Sequence, residues 1–233
     1  MTESLFRRTN NIIGWGVFFI ALLTYSLTVE PTASYWDAGE YISTSAKLQI
    51  GHPPGAPLYQ MMGAVFSLFA TSPEKIALAV NFLSVVSSAF VILFLFWSIT
   101  LLLRKIYDIN DKKSSTNIFL SAIIGSLAYT FSDSFWYNAV ESEVYALAMF
   151  FLAATFWLGL RWEKDFDTER GDKWLVLISF MIGLSFGVHF MAILTIPAIG
   201  MIYFFKKYKK ITIKNFLLAN IISVSILLFI FKL

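Results

Sequence analysis

The chain has 233 residues, 58% of them apolar and only 14% charged, with a mean hydropathy of +0.69. A soluble domain carries about 25% charged residues, so that class is excluded, along with disordered, collagen-like and disulfide-stapled chains. The absence of cysteine removes disulfides, thiolate zinc sites and a cysteine nucleophile. The net charge of +3 does not indicate nucleic acid, because the basic residues sort by membrane side.

Long apolar runs predict an all-α polytopic membrane protein with about seven spans, at 11–29, 78–103, 118–132, 144–161, 174–188, 190–205 and 213–231. The first span follows Arg7 and Arg8 and is too long for a cleavable signal, so it is expected to be a retained anchor. Residues 30–75 form a long outer connection that holds five of the six prolines. Within it the pattern predicts a short helix from near Asp37 and an interfacial or re-entrant piece over 57–71, too short to span comfortably. Residues 174–205 as one helix would run about 48 Å, well beyond a bilayer core, so two short passes meeting near Gly187–His189 are expected. With the N-terminus cytoplasmic, this layout places 15 of 18 basic residues inside. Lys47 and Lys75 stay outside with seven acids. The whole of 1–233 reads as one transmembrane module.

The chemistry-bearing residues cluster on that outer side. In Pro31-Thr-Ala-Ser-Tyr-Trp-Asp-Ala-Gly-Glu40-Tyr, Asp37 and Glu40 are three apart and share a helical face. Partial desolvation at the interface is expected to raise their pKa and make a better proton acceptor. The same pair could instead cap the helix, Asp37 at its start with Glu40 completing a capping box. Next comes Gly51-His52-Pro53-Pro54-Gly55-Ala56-Pro57, where paired prolines would hold His52 on a stiff loop, or merely link two interfacial helices. Glu141-Ser-Glu143-Val-Tyr145 opens the fourth span. Its carboxylates suit a helix N-terminus without further function, or would offer hard oxygen donors to a divalent cation. His189 sits at the turn between the two short passes, facing the interface or a cavity. Trp36, Trp136, Trp162 and Trp174 are expected as interfacial anchors.

These motifs, in this order and continued by Gly-Leu-Ser-x-Gly-Val-His189, resemble the domain-of-unknown-function 2723 family, classed as glycosyltransferase family 117 and similar to protein O-mannosyltransferases. The resemblance implies a GT-C fold with its active site on the outer face. The implied reaction moves a sugar, mannose by analogy, from a polyprenyl-phosphate carrier to Ser or Thr hydroxyls of exported proteins. Asp37 matches the acidic residue of the first outer loop that marks the GT-C class, with Glu40 beside it as a second catalytic group. Asp37 would be the general base of an inverting attack. His52, Pro53, Pro54, Glu141, Glu143, Tyr145 and His189 would form the substrate-binding set. His52 and His189 are the candidates to face the leaving phosphate. No metal, cofactor or nucleic acid is implied. The protein is expected in the inner (plasma) membrane of a bacterium, and its expected partners are the lipid-linked donor, the exported acceptor and the bilayer. Relatives are longer, with a C-terminal region that this chain is expected to lack. Three rivals remain: a GT-C transferase acting on a glycan or lipid, a transporter or translocator, and a non-enzymatic scaffold subunit. Transporters place ionisable residues near the bilayer midplane and show inverted repeats, neither of which this sequence displays.

Overall fold

The computed structural model describes residues 1–232, and among them the chain is entirely helical, with ten α-helices and two 3-10 turns. The helices are α1 (Glu3–Thr28), α2 (Ala38–Lys47), α3 (Pro57–Ser67), α4 (Ile76–Leu103) and α5 (Lys112–Thr130). They continue with α6 (Asp133–Ala139), α7 (Val144–Lys164), α8 (Gly171–Ser185), α9 (Ile196–Lys207) and α10 (Ile213–Lys232). Five helical segments are long and apolar enough to cross a bilayer, formed by α1, α4, α7, α9 with its preceding 3-10 turn, and α10. The protein is an integral membrane protein.

Several boundaries differ from the sequence expectation for identifiable reasons. α1 starts at Glu3, not near residue 11, because the Thr2 hydroxyl caps the Leu5 amide and charged residues do not interrupt a helix. α5 likewise starts six residues early, where the Asp111 carboxylate accepts from the Lys113 and Ser114 amides. Its far end bends by 67° into α6, so only the bent pair together has the length and apolarity of a span. α8 has 15 residues, about 22 Å of rise, shorter than a bilayer core of about 30 Å. The expected short helix after Asp37 is α2, and the apolar piece beginning at Pro57 is α3. Trp162 is not an interfacial anchor: it is 4% exposed and packs with Phe166 between α7 and its neighbours.

α4 is the hub. It is apolar all round and packs against α1, α3, α5 and α7, as a helix must when it is enclosed by others. α1 joins α5 through the buried Tyr25 hydroxyl, which donates to the Thr130 carbonyl at 2.9 Å. α10, by contrast, packs on α9 and leaves most of its apolar surface to lipid.

The end of the bundle where α4 and α7 begin is fixed by polar contacts. Asn81, fully buried one turn into α4, donates from Nδ2 to the Glu30 carbonyl at 2.6 Å and the Thr32 carbonyl at 2.9 Å. Its Oδ1 accepts from the Ser142 hydroxyl in the loop before α7. The Glu30 amide donates to the Val140 carbonyl at 3.0 Å. Backbone groups withdrawn from water need such partners, and one amide side chain supplies two of them and holds the Ser142 hydroxyl as well. α3 is fixed separately, its Leu58 amide donating to the Gly187 carbonyl at 2.7 Å. A Cβ at Gly187 would stand 2.8 Å from Leu58 Cβ, so only glycine allows this approach.

Replacing Asn81 with Leu keeps the volume but strands two carbonyls and the Ser142 hydroxyl. A loss of about 2–4 kcal/mol of stability is expected, measured by unfolding of the purified protein in mild detergent.

Candidate functional site

The connection from Thr28 to Ala38 delivers Asp37 to the position preceding α2. Trp36, just before it, has a left-handed backbone (φ 57°) and is 88% exposed. A bulky residue rarely adopts that conformation, at a cost of about 1–2 kcal/mol. Asp37 holds the N-cap position of α2 but makes no side-chain capping bond, although its carbonyl accepts from the Tyr41 amide. Glu40 does not close a capping box either. Both carboxylates are directed elsewhere, and the capping alternative is not what their side chains do.

Their partner is His52. Its backbone amide donates to Glu40 Oε1 at 2.6 Å, and its ring Nδ1 lies 3.0 Å from Glu40 Oε2. The ring's other nitrogen, Nε2, faces Asp37 Oδ2 at 3.9 Å. The loop that presents His52 is a tight turn, closed by the Gly55 amide donating to the His52 carbonyl at 2.9 Å. It contains a cis Pro53–Pro54 bond and a positive φ of 80° at Gly55. Pro53 and Pro54 themselves are exposed and shape the loop. Gly51 allows the approach, because a Cβ there would lie 2.9 Å from Glu40 Oε1.

Behind this exposed trio lies a buried acidic floor. Glu141 and Glu143 are 3% and 6% exposed, brought together because Glu141 is still in the loop while Glu143 immediately precedes α7. Glu141 Oε2 accepts from the Ser34 hydroxyl at 2.5 Å, which ties the Asp37 segment to the α6–α7 loop. Tyr41 rises from α2 between the two acidic groups, its ring 6.4 Å from that of His52 and 5.1 Å from that of Tyr59. Tyr145 and His189 form a pair one step further along, with ring centroids 5.8 Å apart. His189 stacks on Phe190, and its Nδ1 is buried without a hydrogen-bond partner among the described residues.

Electrostatics divides these groups. Hydrogen bonds from the His52 amide and then its ring hold Glu40 below the ordinary carboxylate range, opposite to the rise expected from interfacial desolvation. The reciprocal bond with Glu40, aided by its charge and that of Asp37, raises His52. Burial raises Glu141, and pushes Glu143 up to about 7 with the charges of Asp37 and Glu141 adding to it. Burial, with the charges of Glu143, Asp37 and Glu40, pushes Tyr41 to about 12, so it stays a neutral phenol. Desolvation lowers His189. The site thus sets Glu40, whose charged form is favoured, near a buried carboxyl, Glu143, poised to exchange protons near neutrality.

One ligand atom each from Asp37, Glu40 and His52 lies within 4.8 Å of the others, a donor set that could take a divalent cation. Asn81, Ser34 and Ser142 buttress the site, as does Tyr137 through its hydrogen bond to Glu141, and no motif or spacing in the sequence marks them. An amide inside an otherwise apolar span was the one available signal for Asn81.

The His52–Glu40 contact has a defined pH window. The raised His52 contributes fully below its ordinary 6.5, and that contribution fades as pH rises through the higher folded value. The lowered Glu40 contributes fully above its ordinary 4.5, and that fades as pH falls through the lower folded value. The difference in melting temperature between wild type and His52→Gln should therefore be greatest between those limits and shrink on either side, measured by thermal unfolding of both proteins across pH.

Comparison with known proteins comes to the same segment. Residues 37–212 match the family model described as "Protein O-mannosyl-transferase TMEM260 N-terminal domain". The chain is 24% identical over 193 residues to the protein O-mannosyl-transferase tmem260 of Dictyostelium discoideum, covering 78% of this chain and 22% of that protein. It is 24% identical over 170 residues to the TMEM260 protein O-mannosyl-transferase of Mus musculus, covering 72% and 22%. It therefore spans about a fifth of the length of these curated relatives. No solved structure matches. The chain belongs to the TMEM260 N-terminal domain family.

Proposed function

From that membership and the geometry around Asp37, we propose that this chain is the catalytic membrane module of a protein O-mannosyltransferase, built as a GT-C module with seven passes. It takes mannose from a polyprenyl-phosphate carrier and transfers it to a Ser or Thr hydroxyl of an exported protein. The end carrying Asp37 faces outward and the N-terminus is cytoplasmic, consistent with the basic residues gathering at the other end. The observation that carries this reading is the Asp37–Glu40–His52 cluster, exposed at the bundle end and backed by buried carboxyls.

Asp37 is half-exposed, uncommitted to a cap and accessible to an incoming hydroxyl. As general base it takes the hydroxyl proton while that oxygen bonds to the anomeric carbon from the face opposite the phosphate. The bond from the anomeric carbon to the phosphate oxygen breaks, and its electron pair leaves with the lipid phosphate, giving inversion. The leaving oxygens need a positive partner. His52 suits that role better than His189, because its carboxylate neighbours favour its protonated form whereas desolvation favours the neutral form of His189. Glu40, bonded to both the amide and the ring of His52, serves as its positioning residue. Glu143 and Tyr41 line the floor beneath the reacting groups, and Tyr145 with His189 borders the side on which the carrier would lie.

The test is peptide mass analysis of secreted proteins from cells making the protein or its Asp37→Asn variant. Wild type should add a hexose-sized increment to Ser or Thr. Asp37→Asn should reduce it by about two to four orders of magnitude, the usual contribution of a general base, with membrane insertion unchanged. An increment that survives the substitution overturns the mechanism.

Chelation separates this chemistry from a cation-dependent one at the same three side chains. Transfer in membranes stripped of divalent ions should persist at its full rate. If it stops and returns with Mg²⁺ or Mn²⁺, the trio serves as a metal site instead.

A further inference from the structure

The opposite end of the bundle holds a cavity of about 330 Å³ between the start of α1 and the ends of α4 and α7. Its wall carries four cations, Arg7, Arg104, Arg161 and Lys164, and no carboxylate among its lining residues. Nearby acids offset little of this charge. Glu3 pairs with Arg104 at 2.7 Å and reaches Lys164 only at 4.0 Å, while Glu163 is taken by Lys105. Arg7 and Arg161 have no carboxylate within salt-bridge distance among the described residues.

Polar atoms are also left unused. Arg161 Nε, Trp97 Nε1 and Asn10 Oδ1 belong to residues lining the cavity, are buried, and have no hydrogen-bond partner among the described residues. Arg161 is held between two indoles, its guanidinium 5.9 Å from Trp157 and 5.7 Å from Trp174, which fixes its plane and limits its freedom. Buried donors remain unpaired in a native fold at appreciable cost unless something else satisfies them. Cations gathered around such donors, with aromatic and aliphatic walls, match a phosphate group that carries an apolar tail. All three helices that form the cavity are of membrane length, and the cavity lies toward their basic ends, a position suited to a lipid head group.

We propose that this cavity binds a phosphate head group, delivered by an anionic membrane lipid, with Arg161 and Arg7 as its principal ligands. The site is separate from the acidic end and stands independently of the transfer chemistry proposed there.

The experiment places the purified protein in nanodiscs containing equal phosphatidylglycerol and phosphatidylcholine. Native mass spectrometry then counts the lipid retained after release. Wild type should retain phosphatidylglycerol preferentially. The Arg7→Gln/Arg161→Gln variant should lose that preference by about tenfold or more, as expected for two removed cations near a head group. Lys206→Gln/Lys207→Gln, altering basic residues at the end of α9, should retain it. Arg7→Gln alone, at an exposed and unpaired position, should give an intermediate loss with helicity unchanged, which separates ligand loss from misfolding. In a parallel arm, glycerol phosphate and inorganic phosphate are titrated while melting temperature is followed. A shift there, abolished in the double variant and with no lipid preference in the first arm, assigns the phosphate site to a soluble source. Retention by the double variant equal to wild type, with no response to soluble phosphate, overturns the proposal.

Discussion

One buried amide holds the acidic end of the molecule together. Asn81 binds two carbonyls of the segment leaving α1 and the hydroxyl of Ser142 before α7, so three chain regions distant in sequence meet at a single side chain. In a membrane protein such a group has no water to fall back on, which makes its partners obligatory. Part of the site hangs directly from these regions. Asp37 follows the carbonyls that Asn81 holds, and Glu141 and Glu143 flank Ser142.

The second constraint is electrostatic. Seven acids at one end would repel one another if all were ionised in a partly desolvated setting. The fold separates them instead. Glu40 is given a donor on each oxygen and stays ionised, while Glu143 is buried behind Asp37 and driven toward neutrality. Opposite shifts in neighbouring carboxyls provide both a charged and a protonated group at one pH, the arrangement on which acid–base chemistry relies. The same separation runs through the histidines, since His52 is raised by its partners and His189 lowered by burial.

The two ends of the bundle are electrostatic opposites. Carboxylates surround the start of α4 and α7, and Arg and Lys surround their ends. Helix direction couples these facts, because a carboxylate near a helix N-terminus and a cation near its C-terminus are each favoured by the helix dipole. Gly187 adds a mechanical link: its carbonyl accepts from the first amides of α3, so the turn after α8 and the loop bearing His52 are held in register.

Hydropathy alone located the long helices, because a bilayer of fixed thickness demands apolar runs of corresponding length. Proline spacing and the Asp37–Glu40 interval also revealed α2, α3 and the loop between them. Helix starts were less legible: the charged first turns of α1 and α5 lie outside the apolar pattern yet continue the helix, as capping by Thr2 and Asp111 permits. What the sequence determined by itself was that the chain is a helical membrane protein with 15 of its 18 bases on one side and its chemistry-bearing acids on the other. Only the tertiary structure decided that Glu40 serves His52 and not a helix cap, that its pKa falls and does not rise, and that Asn81 ties the end together. A carboxylate's protonation depends on which donors reach it in space, and those donors come from residues that sequence spacing does not place.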